Sequence, residues 1–374
     1  MSPRTSPPFR ADHVGSLLRP KHLQQAREDA AAGAISPEEL RAVEDDAIRD
    51  AVKMQEDIGL RAVTDGEFRR ASWHLDFIYQ IAGVEKAEQN FRSVFHNEAG
   101  DIEYTPAALR VTGKVGMDHT IFGPAFEFLR DTASAATPKL TIPAPSLVHY
   151  RGGPAAIDHD VYPDIDEFWD DLGAAYADEV QRLAGLGCTY LQLDDTSLAY
   201  LNDPVQRAEI ARRGEDADHQ HEIYIRSINR ALAGKPAGMT VTTHMCRGNF
   251  RSSWVAQGGY EFVADALFNR LNVDGFFMEY DDERSGGFEP LRLVPSDKYV
   301  VLGLITSKKP ALENKDDIKR RIEEASKFVD IDQLCLSPQC GFSSVLPGNS
   351  LTRDEQIAKL RLVVEIAEEV WGSR

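Results

Sequence analysis

Four side chains with metal-binding chemistry follow apolar runs of this sequence. His244 and Cys246 come directly after the run 239–243, Glu279 ends a second run, and Cys340 lies just past a third. A histidine and a cysteine two residues apart lie on the same face of a strand end. One nitrogen, two sulfurs and one oxygen suffice for a tetrahedral zinc ion. The sequence therefore predicts a Zn²⁺ site in which His244, Cys246, Glu279 and Cys340 are the ligands.

This ligand set has alternatives, because a lone His-x-Cys pair more often packs in a core than binds a metal. Asp281 and Glu283 are rivals of Glu279 for the oxygen position. Structural zinc sites usually take closely paired ligands such as Cys-x₂-Cys. Here the cysteines stand far apart in the chain, at Cys246 and Cys340. That spacing favours a catalytic site with one exchangeable position.

The chemistry that such a site would perform is thiol alkylation. A free thiol has a pKa of about 8.5 and is mostly protonated at neutral pH. A thiol that binds the metal is deprotonated and can attack carbon. Two cysteine ligands lower the net charge of the metal, which keeps the bound sulfur nucleophilic. Hydrolysis by a metal-bound water is the alternative. On this interpretation His244, Cys246 and Cys340 are the catalytic centre.

Strands and helices alternate along the chain, and they must bring these distant residues together. The strongest helix signal begins with Ser36 as N-cap, Pro37 in the first helical position and Glu39 three residues after the cap, and ends at Gly59. Strands are predicted at residues 11–16, 60–64, 139–143, 189–193, 239–243, 275–278, 299–305 and 333–336. Further helices are predicted at residues 126–132, 165–184, 205–233, 261–270, 315–328 and 353–371.

Eight strands that alternate with helices predict a (β/α)₈ TIM barrel, an α/β fold in which the whole chain, 1–374, is one domain. Residues 1–10 are expected to form a loose tail. Residues 71–135 are expected to form an elaborated, irregular connection that holds a hairpin near 111–115. An open doubly wound sheet is the alternative, but no Gly-x-Gly-x-x-Gly follows a strand. In a barrel, Ser16, Glu67 and Asp194 would join the metal ligands at the C-terminal rim.

The composition of the chain limits which binding partners and which cellular location are expected. The net charge of −18 and the absence of a basic run argue against nucleic acid and anionic membranes. No segment reaches the roughly 20 apolar residues that span a bilayer, and the N-terminus lacks the apolar region of a signal peptide. The four cysteines are too few for a disulfide framework, so a cytoplasmic location is expected. The oligomeric state, including a homo-oligomer, stays open.

Several motifs together resemble the C-terminal catalytic barrel of cobalamin-independent methionine synthase. They occur in the order of that family, cover nearly the whole chain, and are His13-Val14-Gly15-Ser16, Asp65-Gly66-Glu67, Gln192-Leu193-Asp194, Thr243-His244-Met245-Cys246 and Ser337-Pro338-Gln339-Cys340-Gly341. The resemblance implies zinc, homocysteine as the thiol acceptor, a methyl donor, and methionine as the product. It also implies that His13, Ser16, Glu67 and Asp194 bind substrate, the two acids holding its ammonium group and Ser16 its carboxylate.

The chain departs from that family in two respects that leave the donor open. It has about half the length of the full enzyme and so resembles the short, single-barrel members. The histidine that the family places after the seventh strand is replaced around 304–308, which puts methyltetrahydrofolate in doubt. Short members also resemble epoxyalkane:coenzyme M transferase. On that alternative, Arg69, Arg247 or Lys308 of this chain would bind a sulfonate. A thiol-binding protein without turnover, and a uroporphyrinogen decarboxylase-like barrel, are further alternatives.

Overall fold

The computed structural model describes residues 4–87, 93–97, 100–104, 108–150, 152–346 and 348–374. In chain order its strands are β1 (Ala62–Val63), β2 (Ala82–Ala87), β3 (Ser93–Asn97), β4 (Gly100–Tyr104), β5 (Ala108–Gly116), β6 (Thr137–Pro143), β7 (Tyr190–Asp195), β8 (Thr240–Met245), β9 (Gly275–Glu279), β10 (Tyr299–Ile305) and β11 (Leu334–Pro338). Seven of them form one parallel sheet in the order β1-β6-β7-β8-β9-β10-β11. Within this sheet, strands that lie next to each other also follow one another along the chain, as they do in the wall of a barrel.

Helices connect and cover these strands. They are α1 (Lys21–Ala31), α2 (Pro37–Ile58), α3 (Leu75–Ile78), α4 (Gly123–Thr132), α5 (Ser146–Tyr150), α6 (Ile165–Gly185), α7 (Ser197–Tyr200), α8 (Pro204–Arg212), α9 (Gln220–Ala231), α10 (Ala264–Arg270), α11 (Lys315–Ala325) and α12 (Arg353–Trp371). The predicted capping box is present, because Ser36 Oγ accepts from Glu39 N and Gly59 ends α2 in the left-handed region at φ 100°. No described helix is long and apolar enough to cross a membrane.

The segment predicted as the first strand, residues 11–16, forms a single parallel bridge between Ala11 and Leu336. Beyond Ala11, side chains of neighbouring strands satisfy its carbonyl groups. Lys139 Nζ donates to His13 O at 2.6 Å, and Gln192 Nε2 donates to Val14 O at 2.7 Å. A regular eighth strand is therefore absent among the described residues, and the curled parallel sheet has seven strands with this segment alongside β11.

A buried ion pair anchors the same segment inside the sheet. Lys139 Nζ lies 3.1 Å from Asp12 Oδ1, and both side chains have no exposed surface. The hydroxyl of Tyr190 donates to the other Asp12 oxygen at 2.8 Å. The expected loose tail is also held for part of its length: Phe9 and Arg10 are buried, and Arg10 pairs with Asp332. Complementary buried polar groups thus fix a stretch that hydrophobic periodicity alone could not place.

The connection at residues 71–135 is more regular than expected. Strand β2 pairs antiparallel with β5, and β3 pairs antiparallel with β4. The prediction of a hairpin near 111–115 is wrong, because those residues lie within the single strand β5, whose partner starts almost thirty residues earlier. The predicted helix 205–233 is likewise divided into α8 and α9, with Gly214 between them at φ 83°.

Candidate active site

Three strands of the sheet, β8, β9 and β11, supply the predicted metal ligands at or just past their carboxyl ends. His244 lies in β8 and Cys246 directly follows that strand, Glu279 is the last residue of β9, and Cys340 follows β11. In the register of the sheet, His244 pairs with Asp194 of β7 on one side and with Phe277 of β9 on the other. The strand ends therefore converge at one edge of the sheet, as the parallel arrangement requires.

The four candidate ligands form one compact, buried cluster. Their ligand atoms all lie within 4.8 Å of one another. The sulfur atoms of Cys246 and Cys340 are 3.7 Å apart. Two sulfurs bound at about 2.3 Å to a tetrahedral zinc ion would stand about 3.8 Å apart, whereas a disulfide would need about 2.05 Å. The separation therefore fits a pair of metal ligands.

The remaining polar atoms of the cluster also suit a metal. Both ring nitrogens of His244 and Oε2 of Glu279 are buried without a hydrogen-bond partner among the described residues. Buried polar atoms without a partner are costly, so they indicate a group that completes the site. The other Glu279 oxygen accepts from the backbone N–H of Arg247 at 2.8 Å, which orients the carboxylate. This donor set fits zinc.

Charge in the cluster is already arranged for metal binding. A hydrogen bond from Cys246, opposed by burial and assisted by His244, holds the pKa of the Cys340 thiol well below its usual range. The same hydrogen bond, together with burial, raises the pKa of Cys246. Burial lowers the pKa of His244, but the proximity and charge of Cys340 outweigh burial, so the net shift is upward. The contact between the two thiols thus lowers the pKa of one of them, and the thiolate is the form in which cysteine binds zinc.

A cavity of about 350 Å³ opens next to the cluster. His244, Cys246 and Cys340 line it together with three predicted substrate residues, Ser16, Glu67 and Asp194. Glu67 Oε1 accepts from Thr141 Oγ1 at 2.9 Å, while its Oε2 is buried without a partner. Asp194 Oδ1 accepts from Gln192 Nε2 at 2.7 Å. The carboxylates and the metal ligands therefore face a shared space.

The two carboxylates favour a cationic ligand. Burial raises the pKa of Asp194 to about 7, and the nearby charge of Glu67 contributes to that shift. Burial also raises the pKa of Glu67, against the opposing charge of Arg70 3.7 Å away. Both shifts mean that the negative charges are poorly compensated in this structure. A bound ammonium group would compensate them.

The structure does not bring every predicted residue to the cavity. His13 is buried outside the cavity lining, with neither ring nitrogen hydrogen-bonded among the described residues. Of the rivals of Glu279, Asp281 pairs with Arg284 at 3.1 Å and Glu283 is exposed. Glu279 is therefore the candidate for the oxygen ligand of the cluster.

The three cations considered for a sulfonate are held elsewhere. Arg69 pairs with Glu44 and with Asp45, at 3.1 and 2.6 Å. The guanidinium of Arg247 lies 4.4 Å from the ring centroid of Tyr260. Lys308 Nζ lies 3.9 Å from Glu279 Oε2 and 4.0 Å from Asp281 Oδ2. None of the three lines the cavity within the described part of the chain.

Sequence reasoning expected Trp73 in the core or in a pocket wall and missed the other aromatic residues of the cavity. Trp73, Phe95, Tyr200 and Phe250 line it and are named here the aromatic wall. Phe95 comes from β3, and its ring centroid lies 5.2 Å from that of Phe250. Apolar residues in the loops after 71 and 93 were assigned to an irregular connection, because no local pattern tells a cavity wall from a core. Only their pairing with distant strands could have revealed them.

Comparisons with known proteins agree with this geometry. A sequence model described as "Cobalamin-independent synthase, Catalytic domain" matches residues 140–369. The uncharacterized protein YxjG of Bacillus subtilis is 48% identical over 370 residues, covering 98% of this chain and 96% of its own. A chain from Listeria monocytogenes assigned as a vitamin-B12 independent methionine synthase superposes with a TM-score of 0.79 at 38% identity, covering 99% of this chain and 100% of its own. A B12-independent methionine synthase from Shewanella, solved with selenomethionine, has the same fold with a TM-score of 0.70 at 21% identity over 96% of this chain and 97% of its own.

Proposed function

Because this chain belongs to the cobalamin-independent methionine synthase family, we propose that it is a zinc-dependent S-methyltransferase on a (β/α)₈ barrel whose acceptor is homocysteine. The cluster of His244, Cys246, Glu279 and Cys340, with all ligand atoms within 4.8 Å of one another, is the observation that carries the proposal. A zinc ion held by these residues supplies the charge that keeps an acceptor sulfur as a thiolate at neutral pH.

The residues around the cluster provide the remaining functions. Asp194 and Glu67 are buried carboxylates that would hold the ammonium group of the acceptor, which offsets the desolvation that raises their pKa values. The hydroxyl of Ser16 lies in the same cavity and would bind the carboxylate. The Shewanella relative was solved with selenomethionine, an analogue of the product of this reaction. We propose that the amino-acid part of the acceptor binds between Ser16, Glu67 and Asp194, which line one cavity.

The alternative, alkyl transfer to a sulfonate-bearing thiol such as coenzyme M, lacks support at this site. A sulfonate requires a cationic partner. None of Arg69, Arg247 and Lys308 is in the described lining of the cavity, and Lys308 lies against the candidate ligand Glu279. The two lining carboxylates would repel it. Homocysteine carries a positive ammonium group and is the better match.

The test is to remove one ligand sulfur and compare it with a buried cysteine that the proposal does not use. Cys340→Ala should weaken zinc binding by roughly a hundred-fold or more, since one of four ligands accounts for a few kcal/mol of the total. Cys335→Ala, five residues earlier in β11 and also buried, is the matched control and should keep wild-type zinc affinity. Chelator competition and metal content measure both variants.

The acceptor is tested on cobalt-substituted protein. Homocysteine should add one thiolate ligand to the cobalt and thereby increase the sulfur-to-cobalt charge-transfer absorption. Coenzyme M should leave that absorption unchanged. A Cys340→Ala protein that retains full zinc affinity, or a cobalt protein that is unresponsive to homocysteine, would contradict the proposed function.

A further inference from the structure

The described lining of the cavity is acidic and aromatic and contains no lysine or arginine. The cationic side chains packed behind it are engaged with the protein itself. Arg19 donates to Ser343 and to the backbone of Glu67, while Arg70 donates to Thr141. Once the acceptor ammonium occupies the two carboxylates, an anionic methyl donor would find no lysine or arginine to pair with in the described lining. A donor that carries positive charge would be attracted to the same surface.

The aromatic wall is suited to such a cation. Trp73, Phe95, Tyr200 and Phe250 come from three separate regions of the chain and converge on one cavity. The hairpin of β3 and β4 is fastened there by a pair of backbone hydrogen bonds between His96 and Trp254, at 2.7 and 2.9 Å. Faces of aromatic rings attract onium groups, whose charge is spread over their methyl groups. A wall of this kind is the usual protein partner of a methylated cation.

We propose that the methyl donor is a small methyl-onium ion, a sulfonium or quaternary ammonium compound, bound with its charged centre against the aromatic wall. This inference rests on the proposed function for the acceptor, and it adds the chemical class of the donor. The carboxylates Glu67 and Asp194 hold the acceptor ammonium, and the aromatic wall, without lysine or arginine in the described lining, takes the donor cation. Phe95 and Trp73 determine the preference for the onium group.

The transfer balances without a further reactant. The acceptor thiolate forms a new bond to the methyl carbon, and the bond between that carbon and the donor's sulfur or nitrogen breaks. The bonding electron pair stays on the donor atom, so the positive donor leaves as a neutral sulfide or amine and the negative thiolate becomes a neutral thioether. No proton has to reach the leaving group. The neutral product also loses its attraction to the aromatic wall, which favours its release.

The binding test needs neither homocysteine nor turnover, so it remains informative even if the proposed acceptor is wrong. Choline is compared with 3,3-dimethylbutanol, its uncharged carbon isostere, by calorimetry on the zinc-loaded protein. Choline should bind about ten-fold more tightly, the range expected of a desolvated cation–π contact. Phe95→Leu and Trp73→Leu should remove most of that preference. Phe328→Leu, a half-buried aromatic distant from the cavity lining, is the control and should keep it.

The turnover test offers homocysteine with trimethylsulfonium, methylcobalamin, or 5-methyltetrahydrofolate in its mono- and triglutamate forms. Methionine should form from the sulfonium and not from the other donors. His74 is a histidine of the cavity lining that could protonate a leaving group, and His74→Gln should leave the sulfonium rate within a few-fold, because that leaving group takes no proton. Equal binding of choline and its isostere would overturn the inference. A preference for choline that survives in Phe95→Leu would also overturn it. Methionine formed from folate or methylcobalamin alone would overturn the inference about the donor but leave the proposed function intact.

Discussion

Replacing Asp194 by asparagine should stabilise the metal-free protein at high pH while impairing substrate binding. Asp194 is buried next to Glu67, and burial raises its pKa from 3.8 to about 7. Asparagine has nearly the same shape and can still accept the hydrogen bond from Gln192. The substitution therefore removes the charge and leaves the packing in place.

The sign and size of the effect follow from the shifted pKa. An acid whose pKa is raised by folding contributes its full stability below the unfolded pKa, here near 3.8, and loses it as the pH rises through the folded pKa of about 7. A shift of this size costs the folded protein at most about 4 kcal/mol of stability above pH 7. At pH 5 only about 1.5 kcal/mol of that cost is present. The advantage of Asp194→Asn should therefore grow by about 2 to 3 kcal/mol between pH 5 and pH 8.

Denaturant unfolding of metal-stripped wild type and variant at pH 5, 6, 7 and 8 measures this difference. Asp218→Asn, which changes an exposed carboxylate, is the control and should show a flat difference across the same range. In the loaded enzyme, Asp194→Asn should raise the KM for homocysteine at least ten-fold, since a charge-assisted hydrogen bond to the ammonium is lost. A variant whose stability relative to wild type does not change with pH would refute the argument that Asp194 is an uncompensated charge.

Two further substitutions test how the site is supported. A Cβ at Gly341 would lie 2.0 Å from Ser16 Oγ, so Gly341→Ala should cost about 1–3 kcal/mol of unfolding free energy and weaken acceptor binding. Adding Ser16→Ala should restore stability but not binding. A double variant as unstable as the single one would contradict the contact. Lys139→Met leaves Asp12 buried without its partner and should cost about 3–5 kcal/mol. Combining it with Asp12→Asn should recover part of that loss in the same denaturant assay, whereas no recovery would show that the pair is not the cause.

Local pattern was sufficient for much of this protein. Helix α2 begins and ends where its capping box and Gly59 predicted, because caps act through hydrogen bonds within a few residues. The parallel strands were located by short apolar runs, and the four candidate metal ligands were selected because each ends or follows such a run. The chemistry of imidazole, thiolate and carboxylate then pointed to zinc without any knowledge of distances.

Tertiary structure decided what depends on pairing between distant segments. The pairing of β2 with β5, the pairing of β3 with β4 and the aromatic wall arise from contacts that no local periodicity encodes. Whether His13 faces the cavity, and whether Lys308 lies in it or against Glu279, depends on side-chain direction at the ends of elements, where regular alternation stops. The segment at 11–16 contributes one bridge instead of a strand, because buried side chains of Lys139 and Gln192 take its carbonyl groups. The sequence thus determined which groups are candidates for the chemistry, and the fold determined which of them share a cavity, since burial and pairing are properties of the whole chain.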